Sequence, residues 1–167
     1  MCHRTAKLVT LRIVSADPFV DLSSTVSAGT VSILATGFSS DPLVDLSATV
    51  YGTVSILVTG VSEDSFVDVS ATVSAGTVSI LATAFSADPF VDLSANVPAG
   101  TVSILATAFS EDPIVDLSAN VPAGTVSILA TAFSADPFVG LSATISGTVS
   151  ILGTGFQQIH LLIFLPL

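Results

Sequence analysis

Aspartates are the residues in this chain whose type and spacing could do chemistry. Five pairs recur, each four residues apart: Asp17 and Asp21, Asp41 and Asp45, Asp64 and Asp68, Asp88 and Asp92, Asp112 and Asp116. Glu63 and Glu111 add a third carboxylate to two of them. Calcium takes about six to eight oxygen ligands, and carboxylates beside a turn, helped by turn carbonyls, can supply them. The spacing matches no established calcium loop. A plainer reading is preferred, in which the aspartates cap turns and keep an apolar body in solution. On that reading the chain carries no cofactor, and calcium on the aspartates is the alternative.

Other chemistry is poorly supplied. Nucleophilic catalysis by a serine needs an adjacent base. The only histidines, His3 and His160, lie outside the region that holds most of the serines, and no lysine lies inside it. An enzyme is not expected. His3 could bind copper or nickel only with help from a free amino terminus, and no further ligand accompanies it. Cys2 is the single cysteine, so it forms no intramolecular disulfide.

The net charge is −10, and its distribution matters more than its sum. Arg4, Lys7 and Arg12 are the only basic residues, and all 13 acidic residues lie between Asp17 and Asp136. A nucleic-acid backbone is neutralised by Lys and Arg, which the central region lacks, so no nucleic-acid partner is expected. Two recurring threonine positions, Thr30, Thr53, Thr77, Thr101, Thr125, Thr148 and Thr36, Thr59, Thr83, Thr107, Thr131, Thr154, resemble the hydroxyl surface of ice-binding solenoids. Their plainer reading is a polar sheet face, which suits the β-propensity of Thr.

These side chains sit on six tandem copies of one unit: 15–38, 39–61, 62–85, 86–109, 110–133 and 134–156. The consensus is S-A-D-P-F-V-D-L-S-A-T-V-S-A-G-T-V-S-I-L-A-T-A-F. Copies two and six are one residue shorter, and both lose it beside the glycine, at Tyr51-Gly52 and Ser146-Gly147. A deletion inside a strand would flip every later side chain to the other face, so the glycine marks a turn. S-x-D-P marks the second turn, as at Ser15–Pro18, since Asp and Ser start turns and Pro presets φ. Copy three has Ser65 in place of this Pro.

Between the turns the sequence alternates. Val20, Leu22, Ser24 and Val26 share one face, as do Val31, Ile33, Ala35 and Gly37. Period-two alternation with many β-branched residues predicts half-buried strands. Leu34 and Phe38 are the exceptions, apolar residues among the threonines of the opposite face. A short helix after Asp-Pro is the competing reading, but Val, Ile, Thr and Ser are poor helix formers.

The fold class is therefore all-β, a tandem-repeat array of six two-strand units, either a β-meander or barrel or a β-solenoid. In a solenoid, equivalent carboxylates stack about one strand spacing apart, ~4.8 Å. Their mutual repulsion is then roughly 0.9 kcal/mol in water, and about half that in a meander. This tips the reading slightly toward the meander or barrel. Near-identical units that stack on their neighbours favour the solenoid.

Asp92-Leu93-Ser94-Ala95-Asn96, followed by Gly100-Thr101-Val102, resembles the D-L-S-x-N…G-x-I stretch of plant-type leucine-rich repeats, and Asp116–Asn120 with Gly124 repeats the pattern. The resemblance covers about half of each unit and implies a 24-residue coil. Where that family places inward apolar residues, this chain has Pro98, Pro122, Asp88 and Asp112.

Outside the repeats lie a basic arm, residues 1–14, and an apolar tail, 157–167. Leu8–Val14 is too short for a signal sequence and is interrupted by Arg12. Ile159–Leu165 falls short of the roughly 20 residues of a membrane helix and is read as a strand or tail covering one end of the array. Twelve strands with Phe beside the turns suit a membrane barrel, but the turns are short at both ends; no membrane association is expected. Open sheet edges predict self-association. The function read from the sequence is a non-enzymatic structural or surface-interaction repeat protein. The alternatives are a calcium-dependent adhesive module and a translated tandem repeat without a dedicated function.

Overall fold

The computed structural model describes residues 5–14, 19–38, 43–61, 66–85, 88–110, 112–133, 137–155 and 158–164. They form strands without a helix among them. In chain order these are β1 (Thr5–Val14), β2 (Phe19–Phe38), β3 (Leu43–Val61), β4 (Phe66–Val73), β5 (Gly76–Phe85) and β6 (Phe90–Asn96). There follow β7 (Ala99–Phe109), β8 (Ile114–Val121), β9 (Ala123–Phe133), β10 (Phe138–Ile145), β11 (Thr148–Thr154) and β12 (Gln158–Phe164).

Every ladder is parallel, and within the repeats each joins equivalent residues of successive copies. Asp45 pairs with Asp68, Ser55 with Ser79, Leu93 with Leu117 and Thr101 with Thr125. Each repeat is thus one coil of a β-solenoid. This resolves the choice between the two architectures against the slightly favoured meander. The reason lies in magnitudes. A carboxylate step costs under about 1 kcal/mol in water. Burying one Val, Leu or Ile contributes about 1.5–3 kcal/mol, and each interior coil buries several.

The coils are flattened into two layers. Layer A holds the first strand of each repeat: Phe19–Val26 of β2, Leu43–Val50 of β3, then β4, β6, β8 and β10. Layer B holds the second: the Gly29–Phe38 part of β2, Thr53–Val61 of β3, then β5, β7, β9 and β11. Both termini add a rung. β1 pairs with β2 from Thr5↔Gly29 to Val14↔Phe38, in layer B. β12 pairs with β10 from Gln158↔Phe138 to Phe164↔Thr144, in layer A. The tail therefore covers one end of the array, as read from its apolar run.

Alternation puts one side of each strand inward. Val91, Leu93 and Ala95 of layer A meet Val102, Ile104, Ala106 and Ala108 of layer B, all buried. The same pattern repeats from coil to coil in one continuous core. Small alanines let the layers approach, and the larger Leu and Ile fill the remaining space.

The glycine site is a corner between the layers, where the chain stays nearly extended. The β2–β3 register shifts between Val26 and Gly29, so the corner absorbs the residue that copy two lacks. Gly52, Gly76, Gly100 and Gly124 have φ of 145°, 147°, 150° and 156°, a conformation that side chains disfavour. A Cβ on any of them would collide with the carbonyl of the glycine one coil earlier. Glycine is needed here by both criteria. The S-x-D-P corners are described only from Asp88 in copy four, at Ser110 and from Asp112 in copy five, and from Pro137 in copy six; Ser15–Pro18, Ser39–Pro42 and Ser65 lie outside the described residues.

Candidate functional site

The parallel register converts each outward repeat position into a column along the solenoid. On layer A one column is acidic: Asp21, Asp45, Asp68, Asp92 and Asp116 stand in register. Burial, and then the Asp45 carboxylate, push the Asp68 carboxyl above its ordinary value. Burial, then Asp68 and Asp116 on either side, do the same at Asp92. The column ends at Gly140, opposite Asp116. A Cβ at Gly140 would stand 3.1 Å from Asp116 Oδ1, so this carboxylate leans over the side-chain position left empty.

The other member of each expected pair behaves differently. Asp88 and Asp112 are exposed at the corner. Asp17, Asp41 and Asp64, with Glu63 and Glu111, lie outside the described residues. Among the described residues no three His, Cys, Asp or Glu side chains gather where they could hold a metal ion. The structure thus brings the second aspartates together along the axis, one per coil.

Beside the acidic column, layer A carries serines and then Thr or Asn. Ser70, Thr72, Ser94, Asn96, Ser118 and Asn120 line a groove of about 320 Å³. The Asn120 Nδ2 donates to Asn96 Oδ1 at 3.3 Å across one coil step. Asp88, Pro98, Asp112 and Pro122, which occupy inward positions in the leucine-rich-repeat pattern, are all exposed. The 24-residue spacing survives from that resemblance, and its inward pattern does not.

Layer B has a different outer face. Thr53, Thr77, Thr101 and Thr125 form one exposed column, and Ser55, Ser79, Ser103 and Ser127 the next. No charged residue lies on any layer B strand from β2 to β11. The apolar exceptions in the sequence pattern close this face. Phe85, Phe109 and Phe133 stack with centroids 4.8 and 4.7 Å apart and rings within 4° of parallel. Phe66 and Phe90 stack likewise at 4.9 Å at the start of layer A. The two aromatic ladders therefore border the S-x-D-P edge from both sides. All of these rings but Phe90 are exposed by more than a third. The signal for them was present as a 24-residue period of Phe, and as Leu34 and Phe38 on an otherwise hydroxylated face.

Comparison with known proteins found no matching family model, no similar curated protein and no similar solved structure. What fold and surface define is a class of architecture: a two-layer parallel β-solenoid with single-residue columns on both faces.

Proposed function

We propose that the protein is a non-enzymatic structural or surface-interaction protein that acts through its extended side rather than through one pocket. One observation carries this reading: stacked aromatic rings border the S-x-D-P edge on both sides, Phe66 with Phe90 on layer A and Phe85, Phe109 and Phe133 on layer B, and apolar Leu43, Val61 and Ile114 hold the same columns in other coils. Exposed apolar residues gathered into a contiguous patch mark interaction surfaces more reliably than scattered ones. A linear array of apolar patches binds an extended or repetitive surface by multivalency, each contact raising the effective concentration of the next. The test is adsorption to an octyl-coated resin. The chain is expected to be retained, and the triple variant Phe85→Thr, Phe109→Thr, Phe133→Thr to elute early. Equal retention of two folded proteins would contradict the reading.

A second reading, a calcium-dependent adhesive module, is favoured by the acidic column alone. Cations between Asp45, Asp68, Asp92 and Asp116 would relieve the repulsion that, after burial, raises the Asp68 and Asp92 carboxyls. It predicts a melting midpoint that rises with millimolar calcium and stops rising in the Asp→Asn variant at all four. A midpoint indifferent to calcium would remove it.

A further inference from the structure

Among the described residues, the two ends of the solenoid are incomplete in opposite ways. At the N-terminal end, β1 projects one rung beyond the first repeat in layer B, and layer A stops at Phe19–Val26. At the C-terminal end, β12 projects one rung beyond the last repeat in layer A, and layer B stops at β11. Each end is a half-coil, and the two halves belong to different layers.

We propose that copies of this chain stack head to tail, with β12 of one copy and β1 of the next completing a shared coil. This goes beyond the proposed function and does not depend on what the aromatic edge binds. Translation by seven rungs, about 34 Å at ~4.8 Å each, seats both projections at once. β1 of the next copy then continues layer B from β11, and its Phe19–Val26 continues layer A from β12. All four strands run in the same direction as the ladders already present within the chain. Among the described residues no strand has to rearrange to extend the array.

The core shows what the second copy would cover. Leu93 and Leu117 are fully buried in the interior coils, whereas Leu22, at the same position in the first coil, is only partly buried. Val26 stands in the same relation to Val50, Val149 to Val126, and Ile151 to Ile128. On β12, Ile163 is 40% exposed although it stands in register with buried Ala143, whereas Leu162 and Phe164 stand in the outward columns of Ser142 and Thr144. Leu22, Val26, Val149, Ile151 and Ile163 thus belong to the two ends and to core columns. Among the described residues, each terminal strand also presents one unpaired row of backbone N–H and C=O groups, a template for a further strand. Continuing the internal register places His160 beside Asp21 of the next copy, and Leu162 beside its Ser23.

One residue weakens the seam. Lys7 is in register with Val31 and would lie beside Val149, in a column that is Val throughout the repeats. Charge on an edge strand is a common brake on edge pairing. Stacking is therefore expected at high rather than trace concentration, and Lys7→Val is expected to lower the concentration required. An interface that repeats by translation does not close, so the product is an open filament.

The experiment is directed cross-linking. In a Cys2→Ser background, Ser23→Cys and Leu162→Cys are made in separate chains. Within one copy these positions are six rungs apart in layer A, about 29 Å, and no disulfide spans that distance. Under mild oxidation the mixture is expected to give a heterodimer, and each variant alone little dimer. The double variant is expected to give a ladder of dimers, trimers and longer species. Sedimentation of the unmodified chain is expected to show mass growing with concentration in whole-chain steps. A monomer at every concentration would overturn the proposal. So would dimers formed equally well by Ser23→Cys alone, because they would require a head-to-head contact.

Discussion

Layers A and B share one backbone and one core, yet their outer faces differ in kind. Layer A carries the acidic column and an amide and hydroxyl groove. Layer B, from β2 to β11, carries no charge and ends in stacked phenylalanines. A parallel in-register solenoid amplifies whatever each position holds. An aspartate becomes a line of repulsion, a phenylalanine a line of stacking, and a glycine a line of close backbone approaches. The inward positions tolerate this amplification because apolar stacking is favourable on both layers. The outward positions assign the layers different physical properties.

The layers meet at the glycine corner, and substitution there should break both together. Gly100→Ala places a side chain at φ 150° and against the Gly76 carbonyl. Backbone strain alone costs about 1–3 kcal/mol, and the collision adds to it. Loss of the cooperative thermal transition by circular dichroism is the expected result. Inside the core the layers should be equivalent. Leu93→Ala in layer A and Ile104→Ala in layer B each empty a site that is at most 1% exposed. Each is expected to lower stability by about 2–5 kcal/mol in urea titration. A markedly smaller loss in one layer would show that it packs loosely.

Outer substitutions should separate the layers. Phe109→Ala removes the centre of the layer B stack, the ring that lies between Phe85 and Phe133. Aromatic pairs contribute about 0.5–1.5 kcal/mol each beyond area burial, so a modest fall in stability, independent of pH, is expected. The acidic column should give the smallest effect and the only one that depends on pH. Asp68 and Asp92 have carboxyls raised in the folded chain. The folded state therefore holds more protons than the unfolded state, and stability falls as pH rises from the ordinary Asp value through the raised one. The double variant Asp68→Asn, Asp92→Asn is expected to melt higher than the parent at pH 7 and to lose that advantage in acid. An advantage of equal size at both pH values would assign it to something other than charge.

Much of this architecture was legible in the repeats. Alternation gave the buried faces, since Val20–Val26 and Val31–Gly37 need one inward side whichever way strands pair. Length variation located the corner, because only there can a residue be lost without flipping the following strand. The pairing partner was not legible: alternation is the same in a hairpin and in a coil, and the charge penalty that separates them is small beside core burial. The aromatic ladders were legible as a period, but their stacking exists only once coils lie one rung apart. The paired-aspartate site depended on bringing Asp88 to Asp92 and Asp112 to Asp116. The structure instead gathers Asp92 with Asp68 and Asp116, between coils, which spacing within one unit does not reveal. Ser24 was legible as a departure from the alanine of later copies. Its hydroxyl is buried without a hydrogen-bond partner, so Ser24→Ala is expected to stabilise the first coil.

The central claim is that successive repeats are neighbouring rungs. It is tested most directly by disulfide formation in dilute chains carrying Cys2→Ser, Ser79→Cys and Ser103→Cys. These serines are exposed and directly paired across β5 and β7, at the ~4.8 Å strand spacing that a disulfide can span. The solenoid predicts rapid intramolecular bridging here, and none in the control pair Ser79→Cys with Ser127→Cys, two rungs apart. Failure of the adjacent pair to bridge in a folded chain would contradict the solenoid and return the repeats to an arrangement with a strand between them.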